Sequence, residues 1–263
     1  MKTKKKKIEP TPESHPEKFQ VTLENVQIIF VNHSGGKDSQ ALLAFLIRLG
    51  FRDKIVIVHS DLGEMEHEEM KPWIESISFG LPVNVVKPDR DFFQLARDYK
   101  RIPDGRARFC TSKLKTDPIA KFIREYMEAN KITYAFNALG VRCDESEARA
   151  NTKEIDVHQA NAHTYKRFVN DWNPIRLWNV DQVKAEVMAA GQELHKIYSQ
   201  GWSRLSCVFC VLGKKSEHIK AAKLRPDLFK KMVQLERDLG KTIRLKQRNG
   251  EKLLHYLDEY IGV

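Results

Sequence analysis

No stretch of the 263 residues approaches the roughly 18 consecutive apolar residues of a membrane span, which argues against a membrane protein. There are only four cysteines, Cys110, Cys143, Cys207 and Cys210, too few for a disulfide framework in a chain of this size. No internal repeat and no clear linker interrupts the sequence. The opening residues, MKTKKKK, are basic, but no apolar stretch or small-residue cleavage site follows. A secretory signal is therefore not expected, and the expected compartment is the cytoplasm. What is present is ample apolar content, 41%, beside 30% charged residues, enough to bury a sizeable core.

Lys plus Arg number 45 against 35 Asp plus Glu, a net charge of +10. Lys2, Lys4, Lys5, Lys6 and Lys7 crowd one tail, and residues 1–20 read as a disordered basic leader. The tail is either a solubilising terminus or a weak attractor of nucleic acid. The remaining excess suits an anionic ligand such as a nucleotide.

Order is expected from Val21. The runs 26–32, 55–59, 83–86 and 132–138 are rich in β-branched residues and read as buried strands. Helices are expected at 41–47, 66–79, 91–99 and 113–130, with Asp91 as a cap. This alternation predicts a doubly wound α/β fold, a mostly parallel Rossmann-like sheet with helices on both faces. Residues 21–142 are expected to form a nucleotide-binding core. Residues 143–263, polar over 143–172 and helical at 180–190 and 216–239 with a break at Pro226, are expected to pack onto it.

Ser34-Gly35-Gly36-Lys37-Asp38-Ser39 lies between the first strand and the first helix. Paired glycines let a backbone approach a phosphate and turn N–H groups toward it. The helix N-terminus adds its positive dipole end. Lys37 supplies a mobile cation, and the Ser34 and Ser39 hydroxyls can donate. The spacing differs from the Walker loop. Asp61, after the second strand, is placed to meet a ribose or a phosphate-bound Mg²⁺, or it is a solvated turn carboxylate. The glutamates from Glu64 to Glu69 read as a solvated helix start. Gly140 and Arg142 follow the fourth strand on the same edge. Arg142 either forks a phosphate or sulfate, oriented by Asp144 and Glu145, or makes a structural ion pair. Arg106, Arg108, Lys113 and Lys115 are either a basic surface loop or a clamp on anionic groups. Cys207 and Cys210 bracket two residues, a spacing that suits a shared metal, a redox pair or two plain thiols.

The string SGGKDS resembles the PP-loop of the ATP-pyrophosphatase superfamily, which binds adenine nucleotides on an adenine nucleotide alpha-hydrolase-like sheet. Other segments narrow the likeness to its phosphoadenosine phosphosulfate reductase branch. That branch also holds adenylyl-sulfate reductases and the sulfurtransferase subunit of DNA phosphorothioation systems. The matching segments are His59-Ser-Asp61-Leu-Gly63-Glu64, Arg108-Phe-Cys110-Thr-Ser-Lys113-Leu-Lys115 with Pro118, and Gly140-Val-Arg142-Cys-Asp144-Glu145-Ser146 with Arg149. They continue through Asn173-Pro174-Ile175 with Trp178 to His195-x-x-Tyr198-x-x-Gly201-x-x-Arg204-x-x-Cys207-x-x-Cys210. They run in order over residues 26–240.

The resemblance implies ATP or a related adenine nucleotide with Mg²⁺, held by Ser34, Gly35, Gly36, Lys37, Asp38, Ser39, Asp61, Gly140 and Arg142. It implies Lys37, Arg142 and Cys110 as catalytic residues. It also implies that Cys110 meets Cys207 and Cys210 at a 4Fe–4S cluster, with Zn²⁺ as the rival and Cys143 or a histidine as a fourth ligand. No cysteine follows Cys210, so the nucleophile that such reductases carry near the C-terminus has no counterpart in these residues. The expected reaction is therefore adenylation-dependent sulfur transfer to an unidentified acceptor. Sulfonucleotide reduction releasing sulfite is the second reading, and a nucleotide-sensing or nucleic-acid-associated regulator the third. A second copy of the chain is a further candidate partner.

Overall fold

The computed structural model describes residues 21–262 apart from residue 106 and residues 162–166 and 249–250. The expected leader and Arg106 thus lie outside the described residues. Six strands form one sheet in the order β3-β2-β1-β4-β6-β5. These are β1 (Ile28–Asn32), β2 (Ile55–Ser60), β3 (Val83–Val86), β4 (Tyr134–Ala138), β5 (Ile155–Val157) and β6 (Phe168–Trp172). All neighbours pair in parallel except β5, which runs antiparallel to β6.

The strands are apolar because both faces are covered. On one face Ile29 and Val31 of β1 pack with Leu42, Leu43 and Leu46 of α1 (Lys37–Arg48). On the other, Phe30 packs with Ile119, Ala120 and Ile123 of α4 (Asp117–Ala129), whose Pro118 sits in the first turn. The sheet is doubly wound, as expected. The chain winds outward through β2 and β3, then crosses back to place β4 on the far side of β1. That reversal makes the carboxyl ends of β1 and β4 a topological switch point, where open α/β sheets bind ligands.

Several elements differ from the sequence reading. The helix expected from Glu66 begins only at Met70, as α2 (Met70–Ser76). Glu66 is instead drawn to His59 at 3.3 Å, His67 is buried against Trp202, and Glu69 adopts a left-handed conformation (φ 62°). The helix α3 (Phe92–Asp98) carries the expected Asp91 cap as a full capping box with Gln94. The helix expected from Lys113 is preceded by a helical turn at Phe109–Thr111 and a π-helical turn at Ser112–Thr116.

The sheet also continues past residue 142, since β5 and β6 belong to it. The rest of the C-terminal region comprises α5 (Glu147–Ala150), α6 (Val180–Ala189), α7 (Lys215–Leu224), α8 (Pro226–Leu239), the hairpin β7 (Arg244–Arg248) with β8 (Glu251–His255), and α9 (Leu257–Ile261). Val208, Phe209, Leu228 and Met232 share one core with Met70, Ile74, Phe92 and Phe93. Arg48 of α1 grips Glu186 of α6 with two hydrogen bonds, at 2.8 and 3.0 Å. Among the described residues no helix is long and apolar enough to cross a membrane.

Candidate functional site

At the switch point lies a cavity of about 430 Å³, walled by the SGGKDS loop, the strand ends, the segment after Arg108 and the C-x-x-C region. The loop holds its shape through its own hydrogen bonds. The Ser34 amide donates to Ser39 Oγ (3.2 Å), and Ser39 Oγ donates to the Gly36 carbonyl (2.9 Å). Gly35 has φ 74°, its amide donates to His33 Nδ1 (3.1 Å), and its carbonyl accepts from Trp73 Nε1 (2.9 Å). A Cβ on Gly35 would stand 2.5 Å from Met70 Cε, so both conformation and space call for glycine.

The Lys37 amide is taken by the Tyr198 hydroxyl (2.9 Å), from the other end of the family-like motif set. The amides of Gly36, Asp38 and Ser39 have no hydrogen-bond partner among the described residues, and all three residues line the cavity. Three uncommitted N–H groups at a helix N-terminus form a cradle for an anion.

Four sequence candidates stand behind the wall rather than on it. Gly35 faces α2. Lys37 is buried, with Nζ on Asp38 Oδ2 (2.7 Å) and over the Tyr198 ring (5.8 Å). Arg142 is also buried: Nε donates to Asp38 Oδ1 (2.6 Å), while Nη1 reaches Asp144 and the Trp178 carbonyl (3.1 Å). It makes the structural ion pair that was its second reading, clamping the loop to the edge beyond β4. Asp61 accepts from the Gly63 amide (2.8 Å) and faces Lys87 (3.4 Å), the turn carboxylate of its alternative. Gly140 does line the cavity. A Cβ there would lie 2.9 Å from the Asp38 backbone, so glycine permits the close approach of loop and strand end.

The cations that do reach the wall are Arg108, Lys115, Arg149 and Arg204; Arg149 is paired with Glu145, and the other three have no hydrogen-bond or ion-pair partner among the described residues. Lys113 points elsewhere, to Asp117 (2.8 Å). Cys110, Cys207 and Cys210 line the same cavity, joined from distant parts of the chain, whereas Cys143 is outside it, with its amide on the Arg176 carbonyl (2.7 Å). Burial pushes the Cys110 thiol up and Cys207 up to about 11, reinforced by the neighbouring thiols and opposed by Lys115. Burial thus favours the protonated thiol at Cys110 and Cys207.

Across this architecture the phosphoadenosine phosphosulfate reductase domain matches residues 28–212. The chain belongs to that family. It is 26% identical over 218 residues to an uncharacterized protein of Methanocaldococcus jannaschii, covering 82% of this chain and 43% of the relative. The chain spans about half the length of the curated relatives it matches. Among solved structures it is similar to a phosphoadenylyl-sulfate reductase from Candida auris in a phosphate complex. That match has TM-score 0.45 and 14% identity, over 68% of this chain and 80% of that one. It is also similar to a Candida glabrata FMN adenylyltransferase in complex with ATP, with TM-score 0.49 and 17% identity, over 74% and 56%.

In this reductase-family chain the three thiols share a wall without converging on a point. Among the described residues no group of three or more His, Cys, Asp or Glu side chains is placed to hold a metal ion. As placed, these donors do not fit a cluster or zinc. The wall does hold residues that the sequence reading passed over. His33 is buried and held neutral, its pKa pushed down to about 3 by burial and by His59. Asn32, Asn137, His158 and Asp171 line the floor. The signal available for Asn32 and Asn137 was a polar side chain in the last positions of an otherwise apolar strand.

Proposed function

We propose that the cavity binds ATP, or a related adenine nucleotide, and activates an acceptor by adenylation for sulfur transfer. The observation that carries this is the meeting of three uncommitted loop amides, three uncommitted cations and three thiols on one wall. The amides of Gly36, Asp38 and Ser39 hold phosphate oxygens. Arg108, Lys115 and Arg204 neutralise the rest of the polyphosphate and the charge that builds at the α-phosphorus. An acceptor oxygen attacks the α-phosphorus, the α–β bridge breaks, and pyrophosphate leaves. An external persulfide donor loads sulfur onto a wall thiol as a persulfide, whose terminal sulfur displaces AMP; a second wall thiol then attacks the carrier sulfur, releasing the sulfurated acceptor as a disulfide forms that an external thiol reduces. Bound to the nucleotide as its counter-ion, Mg²⁺ would lower the charge that repels the attack. Lys37 and Arg142 act behind the wall, fixing Asp38 and with it the loop.

The shared wall of cations and thiols also favours a second reading. There the Cys110 sulfur attacks the sulfur of a sulfonucleotide, its proton passing to the nucleotide phosphate as that group leaves, and a C-x-x-C thiol displaces sulfite as a disulfide forms. Product analysis separates the two: pyrophosphate and AMP from ATP against sulfite from the sulfonucleotide. Calorimetry with ATP and Mg²⁺ tests the site itself. Lys115→Ala with Arg204→Ala is expected to weaken binding at least tenfold, and an unchanged affinity would overturn the assignment.

A further inference from the structure

β1, β4 and β6 lie side by side, and each turns the same face toward α4. Phe30, Ala135 and Val169 pack there in one apolar cluster with Ile119 and Ile123. Two residues further along each strand, on that same face, stand Asn32, Asn137 and Asp171. All three line the cavity floor. Their side chains form a directed chain. Asn32 Nδ2 donates to Asn137 Oδ1 (2.5 Å), and Asn137 Nδ2 donates to Asp171 Oδ1 (2.5 Å).

The far end is fixed as well. His158 Nδ1 accepts from the Ala160 amide (3.0 Å), so the ring proton is on Nε2, which lies 4.0 Å from Asp171 Oδ1. Asp171 Oδ1 is thereby engaged, and Oδ2 has no partner among the described residues. An uncommitted carboxylate oxygen repels phosphate and calls for a donor. Asp171 thus offers an open acceptor to a cavity that Arg108, Lys115 and Arg204 also line.

Resting on the nucleotide reading above, we infer that Asp171 reads the sugar: its free oxygen accepts a hydrogen bond from a ribose hydroxyl. Asn137 and Asn32 are positioning residues that aim it. An adenine nucleotide carries donors only on its ribose and its exocyclic amine. Carboxylate capture of a ribose hydroxyl is a recurrent solution at such sheet edges. The pairing is charge-assisted, so loss of the hydroxyl weakens binding on the order of tenfold or more.

The experiment is calorimetry of the full chain with ATP, 2′-deoxy-ATP, 3′-deoxy-ATP and inosine triphosphate, all with Mg²⁺. Expected is a penalty of about tenfold for at least one deoxy form, collapsing to near parity in Asp171→Asn. That ratio is taken within one variant, so a general loss of stability does not move it. The wild type supplies a check that needs no variant. Burial and Asp156 push Asp171 up to about 6. Asp156, His158 and Asn137 are the groups facing it, and His158 stays neutral over this range, with a pKa of about 4. The ribose penalty therefore shrinks as pH falls below about 6, and phosphate protonation cancels in the ratio. Equal affinity for all sugar forms overturns the inference while leaving the nucleotide site intact. So does a penalty confined to inosine triphosphate, or a ratio that survives both Asp171→Asn and acid. A wild type that binds none of the four overturns the nucleotide reading and this one with it.

Discussion

His33, His67 and His158 are buried, and burial pushes them down to about 3, 4 and 4, with His195 moved the same way. As pH falls through 6.5 the unfolded chain takes up protons that the folded one refuses, so stability drops. Asp171 and Glu236 oppose this. Burial raises them to about 6 and about 7, so from pH 4 to 6 the folded state keeps protons that the unfolded state has lost. Their contribution falls as pH rises. Each group is worth about 1.4 kcal/mol per pH unit within its window. Between pH 6 and 4.5 the histidines outnumber the acids. A Tm that falls over that interval is expected, and Asp171→Asn should fall more steeply because one opposing group is gone. Thermal melts at matched ionic strength check both slopes; a flatter slope in the variant would contradict the balance.

The glycine after β4 shows what one backbone contact does for an element. Gly140→Ala would set a Cβ 2.9 Å from the Asp38 carbonyl group and 3.0 Å from the Ser39 nitrogen. These are backbone atoms, so the N-terminus of α1 must move. Overpacking of this kind costs about 1–3 kcal/mol. Expected are a modest fall in Tm and at least a tenfold loss of nucleotide affinity, since Asp38 and Ser39 carry two of the three open amides; retained affinity would show that the loop tolerates displacement. β1 and β2 were legible in the sequence because a strand covered on both faces reads as a near-continuous apolar run, and β3 and β4 because a single asparagine, Asn84 or Asn137, leaves most of the run intact. β6 was not, because the adjacent Asn170 and Asp171 interrupt its run, Asp171 lining the cavity. The start of α2 was misread because His59 and Trp202, distant in sequence, pull Glu66 and His67 out of helical geometry.

At the scale of the whole molecule, the loop and the C-x-x-C region are held together by Tyr198. Its hydroxyl takes the Lys37 amide and is hydrogen-bonded to the backbone of Leu205, while burial pushes its pKa to about 12. Tyr198→Phe strands the partners of that oxygen in a buried setting, at about 1–3 kcal/mol. Urea unfolding should show a lower midpoint with an unchanged slope; an unchanged midpoint would mean the tyrosine only fills space. This tie was unreadable from the motif because its two ends are far apart in sequence, and the meeting of Cys110 with the C-x-x-C pair was expected only through the resemblance for the same reason. The motif specifies a loop, but the partner of its lysine's backbone amide lies 161 positions away. A ribosome-bound chain that has exposed the glycine motif but not yet Tyr198 therefore owns the letters of the cradle without its form, and capture of a ligand must wait until Tyr198 has emerged.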